Sequence, residues 1–251
     1  MMYSEPDHIH PEIFNPKKIR SVFTEANRNN PEFPGVVSGF NLGLNTPEGP
    51  LVLNRNRARL AEMLNSDETE LAYAEQVHST NIRYVTEGGV LPETDGMYTD
   101  KQDLILGIQV ADCAVVLLAD EDNEIIGAAH AGWRGALGGI VPDLISKMTD
   151  IGAVTHEMKA FVSPCISIES FEVGREVADR FPERFVDYHR FEKPHIDLKQ
   201  YLMDQLMSSG LKVENIELNT DCTVLNNRYY SYRREGKRSG RMMGAIKLAG
   251  E

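Results

Sequence analysis

The sequence predicts an α+β fold, or a mixed α/β fold, in one domain spanning residues 1–251. Three observations support this prediction. Short runs rich in aliphatic and β-branched residues fill the centre of the chain, and patterns with a helical period flank this centre on both sides. A chain of 251 residues is within the size that one domain reaches, and no repeat or linker divides it.

The first elements come before this β-rich centre. The run Ile19 to Thr24 is short and β-prone, and the stretch 25–39 is rich in Asn, Pro and Gly, which is typical of a long loop. Leucine and arginine recur with a helical period between Pro50 and Leu64, so a helix is expected there.

The centre itself is expected to contain five strands, because each run is rich in strand-favouring residues and ends at polar or turn residues. The fourth and fifth runs are separated by the acidic turn DEDN and are therefore expected to pair as a hairpin. The five runs are Leu71–Val77, Asn81–Val85, Leu104–Val110, Ala114–Ala119 and Ile125–Ala129.

Helices and strands mix in the second half of the chain. The segment GWRGALGGI opens a helical stretch towards Met148, with glycines that leave its first residue open. Asp197 is suited to be the N-cap of a helix that ends at Ser209, before Gly210. The other expected elements are a helix over Phe171–Phe181 and strands over Met158–Val162 and Val213–Leu218.

The composition of the chain argues against several classes of function. The 26 Lys and Arg residues against 38 Asp and Glu residues give a net charge of -12, which argues against broad binding to nucleic acid or to an anionic membrane. No apolar run approaches the roughly 18 residues of a membrane helix, and the polar start lacks the features of a secretory signal. Three widely spaced cysteines do not suggest a disulfide framework. We therefore expect a cytoplasmic protein that acts on small molecules, with no protein partner predicted.

Three residues with metal-binding side chains lie at the ends of predicted strands: His78, Cys113 and His130. Two imidazoles and a thiolate suit Zn(II), and three protein ligands leave a fourth position open, as in catalytic zinc sites. Zinc in such a site lowers the pKa of its water towards 7. From spacing alone the alternative stays open, because a single His or Cys is more often structural or simply buried.

Eight short motifs occur in order along the chain, and the set resembles the bacterial YfiH-like family. That family was long labelled laccase-domain or polyphenol oxidase and was later assigned zinc-dependent purine nucleoside phosphorylase and adenosine deaminase activity. The motifs are QVHST (76–80), TDG (94–96), ADCAVVLLAD (111–120), HAGWRG (130–135), SPCI (163–166), FEVG (171–174), DCT (221–223) and SYRREGKRSGR (231–241).

The resemblance implies a metal centre and a substrate class. His78, Cys113 and His130 match the family's metal ligands and catalytic centre, with Zn(2+) as the cofactor and Cu(2+) as the alternative ion. The implied substrates are purine nucleosides (adenosine, inosine and methylthioadenosine) with phosphate, and adenosine for deamination. The implied fold has α/β/β/α layers like those of cytotoxic-necrotizing-factor-type cysteine hydrolases.

The chain also departs from the family pattern. The family usually has an arginine soon after the first strand, whereas here Arg28 is displaced within a longer loop. SPCI replaces the usual GPCI, and CAVV lacks the proline usual after the cysteine. The displaced arginine puts an arginine-assisted phosphorolysis in doubt, the other two changes are interpreted as local packing differences, and the metal ligands implied by the resemblance are intact.

Four further residues are candidates for binding substrate, each with a structural alternative. Asn41 lies in a segment, NLG, that matches the family. Gln76, two residues before His78, would bind a base edge or make a structural hydrogen bond. Asp112 would orient a histidine or cap a turn. Arg134 follows Trp133 at an expected helix start, where it would bind phosphate or form an ion pair.

Other polar and thiol residues have plainer interpretations. The basic segment Arg228–Arg241 would gather phosphate or be solvated surface charge. His8 and His10 are interpreted as incidental residues of a mobile terminus, and Cys165 and Cys222 as buried thiols.

Three other functions compete with the nucleoside hypothesis. A copper polyphenol oxidase follows from the old family label, although seven histidines are few for a multicopper site. An editing hydrolase for cell-wall precursors would use Cys113 or zinc for amide hydrolysis. A non-enzymatic binding protein would use zinc for stability and would surround it with four protein ligands.

Overall fold

The computed structural model describes residues 5–250, which form the expected mixed α+β fold. The strands are β1 (His8–Ile9), β2 (Ile19–Thr24), β3 (Leu71–Ala74), β4 (Ile82–Tyr84), β5 (Gly89–Leu91), β6 (Gly96–Thr99), β7 (Ile105–Val110), β8 (Ala114–Asp120), β9 (Ile125–Ala131), β10 (Lys159–Val162), β11 (Val186–Asp187), β12 (His195–Ile196), β13 (Ile216–Leu218) and β14 (Met242–Leu248). The helices are α1 (Pro50–Met63), α2 (Trp133–Gly138), α3 (Ile140–Asp150), α4 (Arg175–Ala178), α5 (Leu198–Ser208) and α6 (Tyr232–Glu235).

Two six-stranded mixed sheets dominate these residues. The first sheet has the order β1-β2-β14-β7-β3-β5, and the second has the order β13-β10-β8-β9-β6-β4. A small antiparallel ribbon of β11 and β12 lies apart from both. The expected hairpin is present, because β8 and β9 pair antiparallel along their whole length.

The two sheets pack face to face, and helices cover their outer faces. On β8, Val115 and Leu117 belong to the core between the sheets, whereas Val116 and Leu118 belong to a second core under α3 and α5. A strand buried on both faces has no need of polar alternation, which explains the apolar run AVVLLA. Helix α1 covers the outer face of the first sheet. The order is therefore helix, sheet, sheet, helix.

Four expectations about elements were wrong in extent. The strand expected over Leu71–Val77 is only β3, which ends at Ala74. The helix expected over Phe171–Phe181 is only α4, because extended backbone at Gly174 starts it late; Phe171 is buried before it and Glu172 bridges to β12. The helical stretch towards Met148 is divided at Gly139, whose φ of 86° requires the left-handed region that glycine tolerates. The strand expected from Val213 begins three residues later, after a single helical turn.

Several strands were not expected, and β14 is the most important. It lies between β2 and β7 and pairs antiparallel with both. All seven of its residues are buried, so its sequence shows no alternation. β1 also places His8 and His10 beside β2, where a mobile terminus was expected. No helix in residues 5–250 is long and apolar enough to cross a membrane.

Candidate metal centre

His78, Cys113 and His130 come together at one end of the second sheet. Their ligand atoms, two imidazole nitrogens and the Cys113 Sγ, all lie within 4.8 Å of one another. Cys113 directly precedes β8, and His130 is the next-to-last residue of β9. Because Ala114 pairs with Ala131, the register of the hairpin itself brings these two residues together. The strand-end prediction was wrong in detail for His130, which lies inside its strand.

His78 reaches the cluster from a loop. It lies four residues after the end of β3 and has a φ of 61°, the left-handed region that non-glycine residues adopt rarely. Its ring is 4.7 Å from the His130 ring, centroid to centroid, at an interplanar angle of 74°. Such a backbone conformation persists only when neighbouring contacts hold it, and those contacts come from Asp95.

Asp95 is a fully buried carboxylate that binds both the His78 loop and His130. Gly96 pairs with Ala129 across β6 and β9, so Asp95 lies opposite His130, and its carbonyl accepts the His130 backbone N–H at 2.8 Å. The carboxylate accepts hydrogen bonds from His130 Nδ1 (2.8 Å), the backbone N–H groups of Val77 (3.2 Å), His78 (3.0 Å) and Ser79 (2.7 Å), and Ser79 Oγ (2.7 Å).

These bonds fix the charge of Asp95 and the tautomer of His130. Burial by itself would raise the pKa of Asp95, but the hydrogen bonds from His130 and Ser79 outweigh it and hold this pKa at about 2. An ionised carboxylate only accepts, so Nδ1 of His130 carries the proton. Nε2 is then the nitrogen that faces the cluster, as in metal sites whose histidines donate to a carboxylate.

The charges within the cluster favour a thiolate. Burial would raise the pKa of Cys113, but the neighbouring His130 and His78 outweigh it and lower this pKa. Burial would lower the pKa of His130, but the charges of Cys113 and Asp95 outweigh it and raise this pKa. The thiolate is the form of cysteine that binds metals.

The space around the cluster also fits a metal. A Cβ atom added at Gly132 would lie 2.9 Å from Cys113 Sγ and 3.3 Å from His78 Cδ2, so only glycine leaves this side of the cluster open. Two imidazoles and a thiolate are a donor set that zinc prefers, and an oriented second nitrogen on His130 completes the usual surroundings of such a ligand. The residues present therefore fit the metal that the resemblance implies.

The cluster lies in the wall of a cavity of about 660 Å³. Small-molecule sites typically measure 300–1,000 Å³. Its lining combines apolar side chains that pack in one hydrophobic cluster, which form the apolar wall, with His78, Cys113 and His130, an acid and two arginines. The apolar lining includes Trp133, Ile166, Phe171, Val173, Val177 and Leu198, and the polar lining includes Asn45, Gln76, Gln109, Asp112, Arg233 and Arg241.

Two of the candidate substrate residues, Gln76 and Asp112, line this cavity with their polar atoms engaged. The Gln76 amide donates to the Gln109 carbonyl (2.7 Å) and accepts from its N–H (2.8 Å), which extends the pairing of β3 with β7. Asp112 accepts from Thr223 Oγ1 (2.7 Å) and from the backbone N–H of Arg233 (2.7 Å). The carboxylate that orients a histidine is therefore Asp95, and Asp112 instead holds the start of α6.

The other two candidates are not among the cavity-lining residues. Asn41 is fully buried, and its Oδ1 accepts from the N–H groups of Gly43 (3.1 Å) and Arg241 (2.9 Å). It thus supports the segment that carries Arg241. Arg134 is exposed, and its guanidinium lies 4.3 Å from the centroid of the Trp133 ring.

Some residues of the basic segment Arg228–Arg241 make structural contacts, and others line the cavity. Arg228 pairs with buried Glu25, and Arg234 donates to the carbonyls of Thr223, Val224 and Tyr229. Arg28 lies away from the cavity, with Nη2 2.5 Å from Glu235 Oε1. From the segment Arg228–Arg241, the cavity receives Tyr232, Arg233 and Arg241.

The sequence motifs pointed to His78, Cys113 and His130 but not to Asp95, Gly132 or the apolar wall. The motifs TDG and HAGWRG contained Asp95 and Gly132, so the signal was present without an assigned role. The sequence pattern did not predict the apolar wall, because it assigned Phe171 and Val177 to one helix. In the structure only Val177 lies in α4.

Comparisons with known proteins give consistent matches. A family model described as multi-copper polyphenol oxidoreductase laccase matches residues 22–249. A protein of Corynebacterium glutamicum named purine nucleoside phosphorylase is 32% identical over 243 residues, covering 94% of this chain and 96% of the relative. Another of that name, from Deinococcus radiodurans, is 33% identical and covers 85% of each chain. The crystal structure of a hypothetical protein YfiH of Bacillus licheniformis is similar with a TM-score of 0.88 at 26% identity, over 97% of each chain.

Proposed function

The chain belongs to the family described as multi-copper polyphenol oxidoreductase laccase, and on that premise we propose that it is a zinc-dependent purine nucleoside phosphorylase. The curated relatives named purine nucleoside phosphorylase support this activity at the level of the family. One observation carries the proposal for this chain: the His78, Cys113 and His130 cluster opens into a cavity that has an apolar wall and two arginines.

The cavity suits the two substrates of phosphorolysis. In this reaction a phosphate oxygen bonds to C1′ of the ribose, the bond from C1′ to N9 breaks, and the purine leaves with a proton. Arg233 and Arg241 supply positive charge for the phosphate. Phe171, Val173 and Val177 form a wall against which a flat, weakly polar purine packs. Adenosine, inosine and methylthioadenosine are the proposed nucleosides.

The metal would be held by His78, Cys113 and His130. A zinc ion bound there, or copper(II) as the alternative, would supply Lewis acidity and acidify a water molecule at neutral pH. Asp95 keeps the Nδ1 proton of His130 and so presents Nε2 to the cluster, while its bonds to the N–H groups of the His78 loop hold that ring in place. Three protein ligands favour catalysis over a purely structural metal.

Deamination of adenosine is the second proposed activity of this centre. Water replaces the amino group at C6, and inosine and ammonia are the products. The open fourth position of a three-ligand site supports it, because water activation is what this reaction needs. Gln76 and Asp112 also line the cavity, and they are proposed to contact the base with the acceptor capacity that their bonds to Gln109, Thr223 and Arg233 leave.

Three further features of the proposal rest on the sequence. The single domain over residues 1–251, the likeness to cytotoxic-necrotizing-factor-type cysteine hydrolases and the cytoplasmic location stay predictions. A net charge of -12 supports small-molecule substrates over nucleic acid.

The testing experiment is a product assay with metal-quantified protein. Adenosine is incubated with and without phosphate, and adenine, inosine and hypoxanthine are resolved. We expect adenine only with phosphate and inosine without it. Protein carrying Cys113→Ser is the matched negative control, and Cys165→Ser, at a buried thiol outside the cluster, is the positive one. Oxidation of a phenol in place of these products would favour a polyphenol oxidase, and metal-loaded protein without any product would contradict the proposal.

A further inference from the structure

A second group of metal-binding side chains lies at the N-terminal edge of the first sheet. Glu5, His8 and His10 each place one ligand atom within 4.8 Å of the others. His8 Nε2 is 2.6 Å from His10 Nε2 and 3.8 Å from a Glu5 carboxylate oxygen. We propose that these three residues bind a divalent transition-metal ion of the zinc class, independently of the cavity site.

The backbone arranges the two histidines for this role. β1 pairs antiparallel with β2, with His8 opposite Thr24 and Ile9 opposite Phe23. Successive side chains of extended backbone point to opposite faces, so His8 and His10, which directly follows β1, share one side while Ile9 packs on the core between the sheets. The convergence of the two rings is therefore a consequence of strand geometry and does not depend on a flexible terminus.

The other nitrogen of each ring faces a backbone carbonyl. His8 Nδ1 lies 2.6 Å from the Pro6 carbonyl oxygen, and His10 Nδ1 lies 3.4 Å from that of Ser21. A carbonyl oxygen only accepts, so Nδ1 is the protonated nitrogen of each neutral ring. Both Nε2 atoms then direct lone pairs at the same point, the arrangement in which ligating histidines are held by a backbone carbonyl.

Two bare lone pairs at 2.6 Å repel each other, so either a proton or a metal ion shared by the two nitrogens accounts for this distance. A shared proton would pair the resulting imidazolium with Glu5, but its carboxylate oxygen, 3.8 Å from His8 Nε2, lies outside direct hydrogen-bond distance. A metal uses all three donors. At zinc–nitrogen bonds of about 2.0–2.1 Å, tetrahedral geometry separates two nitrogens by roughly 3.3 Å, which a small rotation of the exposed His10 ring provides.

The donor set distinguishes this site from the cavity site. Two imidazoles and a carboxylate contain no thiolate, and none of the three residues lines the cavity. Glu5 instead borders a surface groove that also contains Asp7 and Glu25. An ion here would tie the segment before β1 to the edge of the sheet.

Cobalt(II) binding to the full-length apoprotein tests the proposal, because only a thiolate ligand gives cobalt an intense near-ultraviolet charge-transfer band. Wild type is expected to bind two equivalents against a weak competing chelator, one of them with this band. His8→Gln combined with His10→Gln should remove one equivalent and leave the band. Cys113→Ser should remove the band and leave the equivalent without it.

The matched control is His156→Gln, because His156 is an exposed histidine whose Nε2 lies 3.3 Å from Glu157 and which belongs to neither metal-capable group found among residues 5–250. It should change neither the number of ions bound nor the spectrum. The proposal is overturned if wild type binds only the equivalent with the charge-transfer band, or if the double variant still binds two. Far-ultraviolet circular dichroism verifies that each variant is folded.

Discussion

Replacing Asp95 by asparagine keeps the shape of the side chain and removes its charge and one acceptor. The amide oxygen can satisfy only one side of the network, either His130 and the His78 N–H or the donors of Val77 and Ser79. The NH2 group then faces N–H donors on the other side. If it faces His130, the ring must accept at Nδ1 and carry its proton on Nε2, which blocks that nitrogen as a ligand.

Asp95→Asn should lower two quantities, the unfolding free energy and the metal affinity. The pKa of Asp95 falls from 3.8 to about 2 in the folded protein, and each pKa unit corresponds to about 1.4 kcal/mol, so the apoprotein should lose roughly 2 kcal/mol of unfolding free energy at neutral pH. Loss of a carboxylate that orients a ligating histidine typically weakens metal binding about 10–100-fold. The first value is measured by urea denaturation and the second by competition with a chelator.

Asp120→Asn is the matched control for this variant. Asp120 is also fully buried, and its carboxylate accepts from the N–H groups of Asp122 (3.2 Å), Asn123 (3.1 Å) and Val154 (2.7 Å). It lies at the other end of β8 from Cys113, about 20 Å away at the usual rise of a strand. Asp120→Asn should therefore lower stability without changing metal affinity. Equal metal affinity in Asp95→Asn and Asp120→Asn would contradict the role of Asp95 in orienting His130.

Three other predictions follow from the same contacts. Gly132→Ala places a Cβ 2.9 Å from Cys113 Sγ, so bound metal measured by elemental analysis should fall at least about tenfold. Gly49→Ala is the control, because a Cβ at this position has no atom within 4 Å, and it should not change bound metal. Equal metal content in the two variants would contradict the steric argument. Burial raises the pKa of Asp120, but hydrogen bonds from Val154 and Asn123 outweigh it and lower this pKa below 3.8. The ionised Asp120 carboxylate therefore stabilises the fold above about pH 3.8, and this stabilisation is lost as the pH falls through the folded-state pKa. The difference in unfolding free energy between wild type and Asp120→Asn should therefore disappear in acid. A difference that does not change with pH would contradict the lowered pKa of Asp120. Arg233→Gln should raise KM for phosphate about 10–100-fold with adenosine as co-substrate, and Arg238→Gln, which removes an exposed charge outside the cavity lining, should leave it unchanged; equal effects would indicate only general electrostatics.

Local signals predicted the elements that local contacts determine. The hairpin of β8 and β9 is joined by a short acidic turn, and Asp197 caps α5 by accepting the Gln200 N–H at 3.0 Å, as its position before a helical pattern indicated. β14 could not be predicted in this way, because its partner β2 lies more than two hundred residues earlier and its seven buried residues lack a period. Whether such a run becomes a strand depends on which sheet it completes.

The sequence likewise indicated which side chains in the site can bind a metal, but not which residues strand pairing brings into contact. Motifs singled out His78, Cys113 and His130, and the structure brings them together, while their role as ligands stays a prediction. Asp112 was the candidate for orienting a histidine because it adjoins Cys113 in sequence. The pairing of β6 with β9 assigns that contact to Asp95 instead, and no sequence spacing reveals this pairing.

The most direct test of the account measures phosphorolysis against bound zinc. Apoprotein and its Cys113→Ser variant are titrated with zinc in the presence of inosine and phosphate, and hypoxanthine and bound metal are measured in the same samples. The wild-type rate is expected to rise in proportion to the zinc bound at the thiolate site, and the variant is expected to stay inactive at every zinc level. A rate independent of zinc, or full activity in Cys113→Ser, would contradict it.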